Sequence, residues 1–165
     1  MSHDARAIGN ILLDCADKLA IPISPMKLQK LLYFAHGHSW RALRAGLIFN
    51  SFRAWDYGPI VKVVYDEFKD LGSSPICRRA NWYNLAAGGV EVAFAALSDE
   101  EMACVHQAMS IYAPVDAYTL SRLSHAHNSP WDIVRRKPQA YPKNLIPNEL
   151  IADYFVNRFP HMHKQ

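Results

Sequence analysis

The chain has 165 residues, half of them hydrophobic and 20% charged, enough for one core that buries roughly two-thirds of the unfolded surface. Its net charge of +3, from 18 basic and 15 acidic residues, is too even to argue by itself for a nucleic-acid partner. No apolar run approaches the roughly 20 residues of a membrane span. The opening residues, with Asp4 and Arg6, hold no apolar signal segment, so the expectation is a cytoplasmic protein with no membrane partner.

Residues 4–19 predict a first helix, because Ile8, Ile11, Leu12, Cys15 and Leu19 recur at three- and four-residue spacing. Ser24 and Pro25 open a second, with a hydroxyl to cap the free amides and a proline suited to the first turn. Leu28, Leu31, Leu32 and Ala35 form its stripe, and Met26, Tyr33, Phe34 and Trp40 widen it so far that this helix must be central. Gly46 is its terminator, and Gly37, inside the pattern, marks a close contact. Residues 47–55 read as extended or irregular. Gly58-Pro59 opens a third helix to about Leu71, burying Val61, Val64, Phe68 and Leu71.

Residues 73–90 read as a long connection. Residues 90–96 read as a strand that would pair near residues 48–52. Ser98 followed by Glu101 is a capping box, starting a helix that buries Met102, Val105, Met109 and Tyr112 and closes at Pro114. A short helix covers residues 117–123, and Ser129-Pro130 starts a further turn or helix carrying Trp131, Ile133 and Val134. Pro138, Pro142 and Pro147 make residues 137–147 an extended, stiff loop. The last helix spans residues 148–158 and buries Leu150, Ile151, Tyr154 and Phe155. The fold expected is mainly α, a compact helical domain of about six helices that admits a small β-hairpin or short sheet. Residues 1–159 form the single domain, and residues 160–165 a flexible tail with His161 and His163.

Residues that could do chemistry are few. Cys15, Cys77 and Cys104 are far apart and form no CxxC. His36 and His38 are two apart on a helix and diverge. His125 and His127 could converge with Asp132 on a metal, which makes a metal-dependent enzyme one alternative reading. There is no HExxH, no GxSxG elbow and no glycine-rich phosphate loop; Ser129 beside Pro130 suits a cap, and Gly88-Gly89 is a turn signal. No catalytic, cofactor-binding or metal residue is therefore assigned, and the expectation is no enzyme and no cofactor. Trp55-Asp56-Tyr57-Gly58-Pro59 reads as a hydrophobic clasp with Asp56 bonding backbone amides, or else as an aromatic patch for a partner. In His125–Trp131 the tryptophan reads as core, and the polar residues before it can cap, face a partner or line a groove. Arg78-Arg79 and Arg135-Arg136 read as solvated faces, with direct DNA binding as a minor alternative.

Four blocks carry a resemblance. They are Lys27-Leu28-Gln29-Lys30-Leu31-Leu32-Tyr33-Phe34-Ala35-His36-Gly37; Phe52 to Val61 with Val64-Tyr65-Asp66-Glu67-Phe68; Leu120 to His125 with Ser129-Pro130-Trp131; and Ile151-Ala152-Asp153-Tyr154-Phe155. In this order, from about residue 10 to 156, the chain resembles the Panacea domain, the SocA-like antitoxin family. Lys27, Leu28, Gln29, Trp55, Gly58 and Pro59 match the family's motif positions, and Ser124-His125 stands where a threonine-histidine pair is usual. The resemblance implies an antitoxin of a toxin–antitoxin system, phage- or mobile-element-associated, whose partner is a cognate protein toxin neutralised by direct contact. It also implies an alternative, an adaptor that delivers a toxin to an ATP-dependent protease. It supplies no catalytic set, and this chain has no room for the DNA-binding module of some relatives. Leu31, Leu32, Tyr33, Tyr65, Tyr57, Ser129, Pro130 and Trp131 join those motif residues as mostly structural. The nominated partner-binding residues lie in the less regular stretches 73–89 and 137–147 or beside them: Arg78, Arg79, Trp82, Tyr83, Arg135, Arg136 and Tyr141.

Overall fold

A computed structural model describes residues 1–160, and the predicted tail beyond Pro160 lies outside the described residues. The protein is mainly α, with seven α-helices and two small antiparallel sheets among those residues. No helix there is long and apolar enough to cross a membrane.

Helix α1 (Ala5–Leu19) begins at Asp4, whose carboxylate accepts the Arg6 N–H, and ends at Ala20 in the left-handed conformation. Helix α2 (Pro25–Leu43) starts at the Ser24 cap with Pro25 in its first turn. It ends short of Gly46, because Arg44 turns left-handed and its N–H closes on the Trp40 carbonyl. Every residue of α2 from Lys27 to Ser39 is buried, and the helix packs on α1, α4, α5 and α7. At Gly37 a Cβ would overlap the Phe155 ring, so the glycine is where α2 meets the C-terminal helix.

Strands β1 (Phe52–Trp55) and β2 (Gly58–Ile60) form a hairpin, and helix α3 (Lys62–Phe68) follows. The helix therefore starts after Gly58-Pro59, contrary to the sequence expectation. Gly58 has φ +110°, which no helix accommodates. Pro59 and Ile60 pair with Ala54 and Arg53, and the Val61 N–H and C=O are both held by the Gln29 side-chain amide (2.8 and 3.1 Å). The hairpin pairing and the distant Gln29 amide together keep the chain extended until Lys62.

Residues 73–90 are more ordered than expected. Strand β3 (Asn81–Asn84) lies within them and pairs with β4 (Gly89–Val92), so the strand read at residues 90–96 does not pair near residues 48–52. The partners of β1 are instead β2 and β5 (Leu145–Ile146), a short strand in the stretch read as a loop, giving the order β2-β1-β5. Asn10 of α1 anchors the β3–β4 hairpin at its base. Its amide donates to the carbonyls of Ala80 (3.0 Å) and Ala93 (2.8 Å) and accepts the Ala80 N–H (2.8 Å).

Helix α4 (Asp99–Tyr112) carries the full capping box of Ser98 and Glu101. Helices α5 (Ala117–Ser124) and α6 (Pro130–Arg136) are capped by Asp116 and Ser129, and α7 (Asn148–Asp153) runs on as a wider turn through Arg158. At the centre Phe34 stacks on Tyr112 (4.3 Å) and Phe155 on Phe159 (4.7 Å), with Tyr33 edge-on to Phe34, Phe52 and Phe155.

Candidate functional site

The blocks singled out in the sequence meet around the β1–β2 turn. Their polar atoms bond mainly to backbone. Lys27 Nζ donates to the Ala113 carbonyl, and Lys30 Nζ to the Pro59 carbonyl at 2.9 Å. Ser121 Oγ donates to the Tyr57 carbonyl (2.8 Å), Ser124 Oγ to the Ser121 carbonyl (2.6 Å) and Ser129 Oγ to the Ser124 carbonyl (3.0 Å). Ser129 Oγ also accepts the Asp132 N–H, as a cap should. Trp131 Nε1 donates to the Trp55 carbonyl at 2.7 Å. The turn is thereby fastened from α2, α5 and α6. Gly58 is required at its centre twice over: φ is positive, and a Cβ would lie 2.6 Å from Ser124 Oγ and 2.7 Å from Lys30 Cε.

Lys30 is the most deeply buried charge of this cluster. Its side chain is 0% exposed, and among the described residues it has no carboxylate partner. Burial lowers its pKa to about 7. The His125 ring stacks on Trp131 at 3.7 Å and 12°, and the Arg135 guanidinium lies over the Trp131 ring at 5.6 Å. His125 Nε2 is buried with no hydrogen-bond partner among the described residues, and burial together with the charges of Lys30 and Arg135 holds the ring toward neutrality. Asp56 does not bond backbone amides as expected; it accepts from Arg135 at 2.9 Å, and Arg135 also donates to the Ala54 carbonyl.

The three residues proposed to converge on a metal do not do so. His125 faces Trp131, while His127 Nδ1 is 3.7 Å from Asp132, whose carboxylate is already engaged by Arg136 (3.1 Å) and the Asn128 N–H (2.8 Å). No group of three metal-binding side chains occurs among the described residues. His36 and His38 diverge: His36 Nδ1 accepts the Ile48 N–H and Nε2 bonds Asn148, whereas His38 Nε2 bonds the Tyr112 hydroxyl at 2.8 Å.

The nominated partner-binding residues do not form one patch. Arg78 and Arg79 are ion-paired, to Asp70 and to Asp14 and Asp17 respectively. Trp82 Nε1 donates to Glu91 across the β3–β4 hairpin, and Tyr141 packs on the core. Tyr83 stands free on that hairpin in company the sequence reading did not name, since Leu85, Val90, Val92 and Phe94 are also exposed. Their alternation across two short strands was the available signal. Lys30 and Ser121 were likewise not singled out. Lys30 sits three residues after Lys27 on a helix face that is otherwise apolar, and a charge there can be placed only when its carbonyl partner is known.

Between the N-terminal turn of α2, the β1–β2 hairpin and α3 opens a cavity of about 580 Å³, with Met26, Trp55, Tyr57, Ile60, Val64 and Tyr65 among its walls. Trp55 and Tyr65 meet edge to face at 4.9 Å.

No solved structure matches the chain. A relative from Caulobacter vibrioides (strain NA1000 / CB15N), named Antitoxin SocA, is 36% identical over 138 residues, which are 83% of this chain and 73% of that one. The family described as Antitoxin SocA-like, Panacea domain, matches residues 28–132, a span holding α2 from Leu28 onward, both hairpins and the serine–histidine–tryptophan cluster that fastens the turn. The chain belongs to the SocA-like Panacea domain family.

Proposed function

We propose that this protein is an antitoxin that neutralises a cognate protein toxin by direct contact and performs no reaction itself. The observation that carries the reading is membership of the family, with a 36% identical relative named as an antitoxin. The geometry agrees with it. The motif side chains that could have done chemistry, Lys27, Gln29, Lys30, Ser124 and Ser129, hold backbone carbonyls and amides and so preserve a shape. The exposed apolar side chains of the β3–β4 hairpin, Tyr83, Leu85, Val90 and Val92, form a surface suited to a protein partner.

The test is co-expression with the products of neighbouring reading frames, taking as the cognate toxin one that arrests growth when expressed alone. Growth should be restored, and the two proteins should co-purify. If growth stays arrested although this chain accumulates in folded form, the reading fails.

A further inference from the structure

The cavity beside the β1–β2 turn shares Gln29 and Lys30 with the contacts that fasten that turn, and its lining joins apolar walls to charge. Its walls are aromatic and aliphatic, while the charges around it are mostly of one sign. Lys69 and Arg135 bring two cations to its rim, Lys30 lies buried beneath, and Asp56 is the one carboxylate in its lining. Asp56 is already matched by Arg135 at 2.9 Å. Lys69 lies 3.5 Å from Asp66, which is held more closely by Lys62 at 2.7 Å. Lys30 has no carboxylate partner among the described residues, although it lies beneath the floor. The hollow therefore joins apolar walls to an excess of positive charge.

Its volume is within the range of roughly 300–1,000 Å³ found for ligand pockets, and exceeds what one side chain fills. Tyr57, 72% exposed, stands at the lip on the tip of the turn. Helix α3 joins this hollow to the other proposed contact surface: Lys69, just past its end, lines the cavity, while Glu67 and Asp70 hold Asn81 and Arg78 at the base of the β3–β4 hairpin.

We propose that this cavity is a docking site for a short acidic segment of the protein partner, one that inserts apolar side chains between Trp55, Tyr57 and Tyr65 and sets flanking carboxylates toward Lys69 and Arg135. The proposal rests on the antitoxin reading for the identity of that partner. Charge complementarity selects the occupant, because a basic or neutral segment would leave the cationic rim unmatched. Apolar anchors supply the affinity, and the carboxylates fix which segment enters.

The experiment uses the full chain and three blocked nonapeptides as probes: a central leucine pair flanked by glutamates, the same pair flanked by lysines, and glutamates around a central glycine pair. Binding is read from the ring resonances of Trp55, Tyr57 and Tyr65. The first peptide should shift them saturably, and the other two should bind at least about tenfold more weakly. Tyr57→Ala and Lys69→Glu, both on exposed side chains, should weaken the first peptide by a similar factor and should also impair rescue of growth from the toxin. Tyr118→Ala, exposed on α5 and not among the residues that line the hollow, should change neither.

Absence of saturable shifts with the acidic leucine peptide, or equal binding of the lysine version, overturns the site. Full rescue by Tyr57→Ala and Lys69→Glu, once they have lost the peptide, overturns the toxin as its occupant. Failure of the wild-type chain to rescue growth strikes the antitoxin reading instead, and the peptide titration still decides the cavity.

Discussion

Lys30 shows how one residue can serve the fold at the expense of stability. Its ammonium is wholly buried, and its hydrogen bond to the Pro59 carbonyl pins β2 to α2. Burial has lowered its pKa to about 7, against an ordinary lysine value of 10.5. The unfolded chain therefore binds the proton more readily than the fold does, and the lysine opposes folding most at and below pH 7. Replacing a buried charge by an apolar side chain of similar volume is often neutral or stabilising, by about 1–4 kcal/mol. Lys30→Met should accordingly raise the melting temperature at pH 7, and that gain should shrink as the pH approaches 10. An unchanged gain at pH 10 would show that packing, not charge, was responsible. The buried histidines give a second pH effect. His36 and His38 are held neutral by burial, with pKa values of about 4 against 6.5. Their contribution is complete above pH 6.5 and is lost as the pH falls toward 4, at about 1.4 kcal/mol per pH unit for each group. Urea midpoints should fall between pH 6.5 and 5, and His38→Gln, which retains a polar group for Tyr112, should make that fall about half as steep.

At the scale of elements, the two hairpins differ in how they are held. The β1–β2 hairpin is fastened by side chains of three helices and shares a sheet with β5. The β3–β4 hairpin is a two-stranded ribbon, marginal alone, and Asn10 bonds its base at three buried points. Asn10→Leu leaves those backbone groups unpaired and should cost at least about 2 kcal/mol. Hydrogen exchange should then accelerate across residues 80–93 before it does in α2. Uniform acceleration would mean that the hairpin is no weaker than the core. The caps explain which elements were legible beforehand. Asp4, Ser24, Ser98 and Ser129 act within their own first turns, so their helix starts can be read locally. Strand β2 could not be read that way, because the side chains that hold it extended alongside its hairpin partner β1 belong to Gln29 and Lys30, far earlier in the chain.

For the whole molecule, scaffold and contact surface should separate under mutation. Leu31 is fully buried on the central helix, and Leu31→Ala should cost roughly 2–5 kcal/mol and lose partner binding only together with the fold. Tyr83→Ala, on an exposed side chain, should keep the melting temperature and weaken the complex. Melting curves beside toxin affinity decide this, and a Tyr83→Ala protein that binds like wild type removes the β3–β4 hairpin from the interface. The sequence by itself determined that the chain is mainly helical, that α2 is central and that its motif blocks are those of the SocA-like Panacea family. Helical periodicity, local caps and motif order are all properties of neighbouring residues. Only the tertiary structure decided that β1 pairs with β2 and β5, that His125 lies against Trp131 rather than beside His127 on a metal, and that Asp56 faces Arg135. It also decided that an aromatic, cation-rimmed cavity opens beside the turn. Several of these, such as β1 with β5 and Asp56 with Arg135, depend on groups brought together from distant parts of the chain, and such partners leave no periodic trace in the sequence.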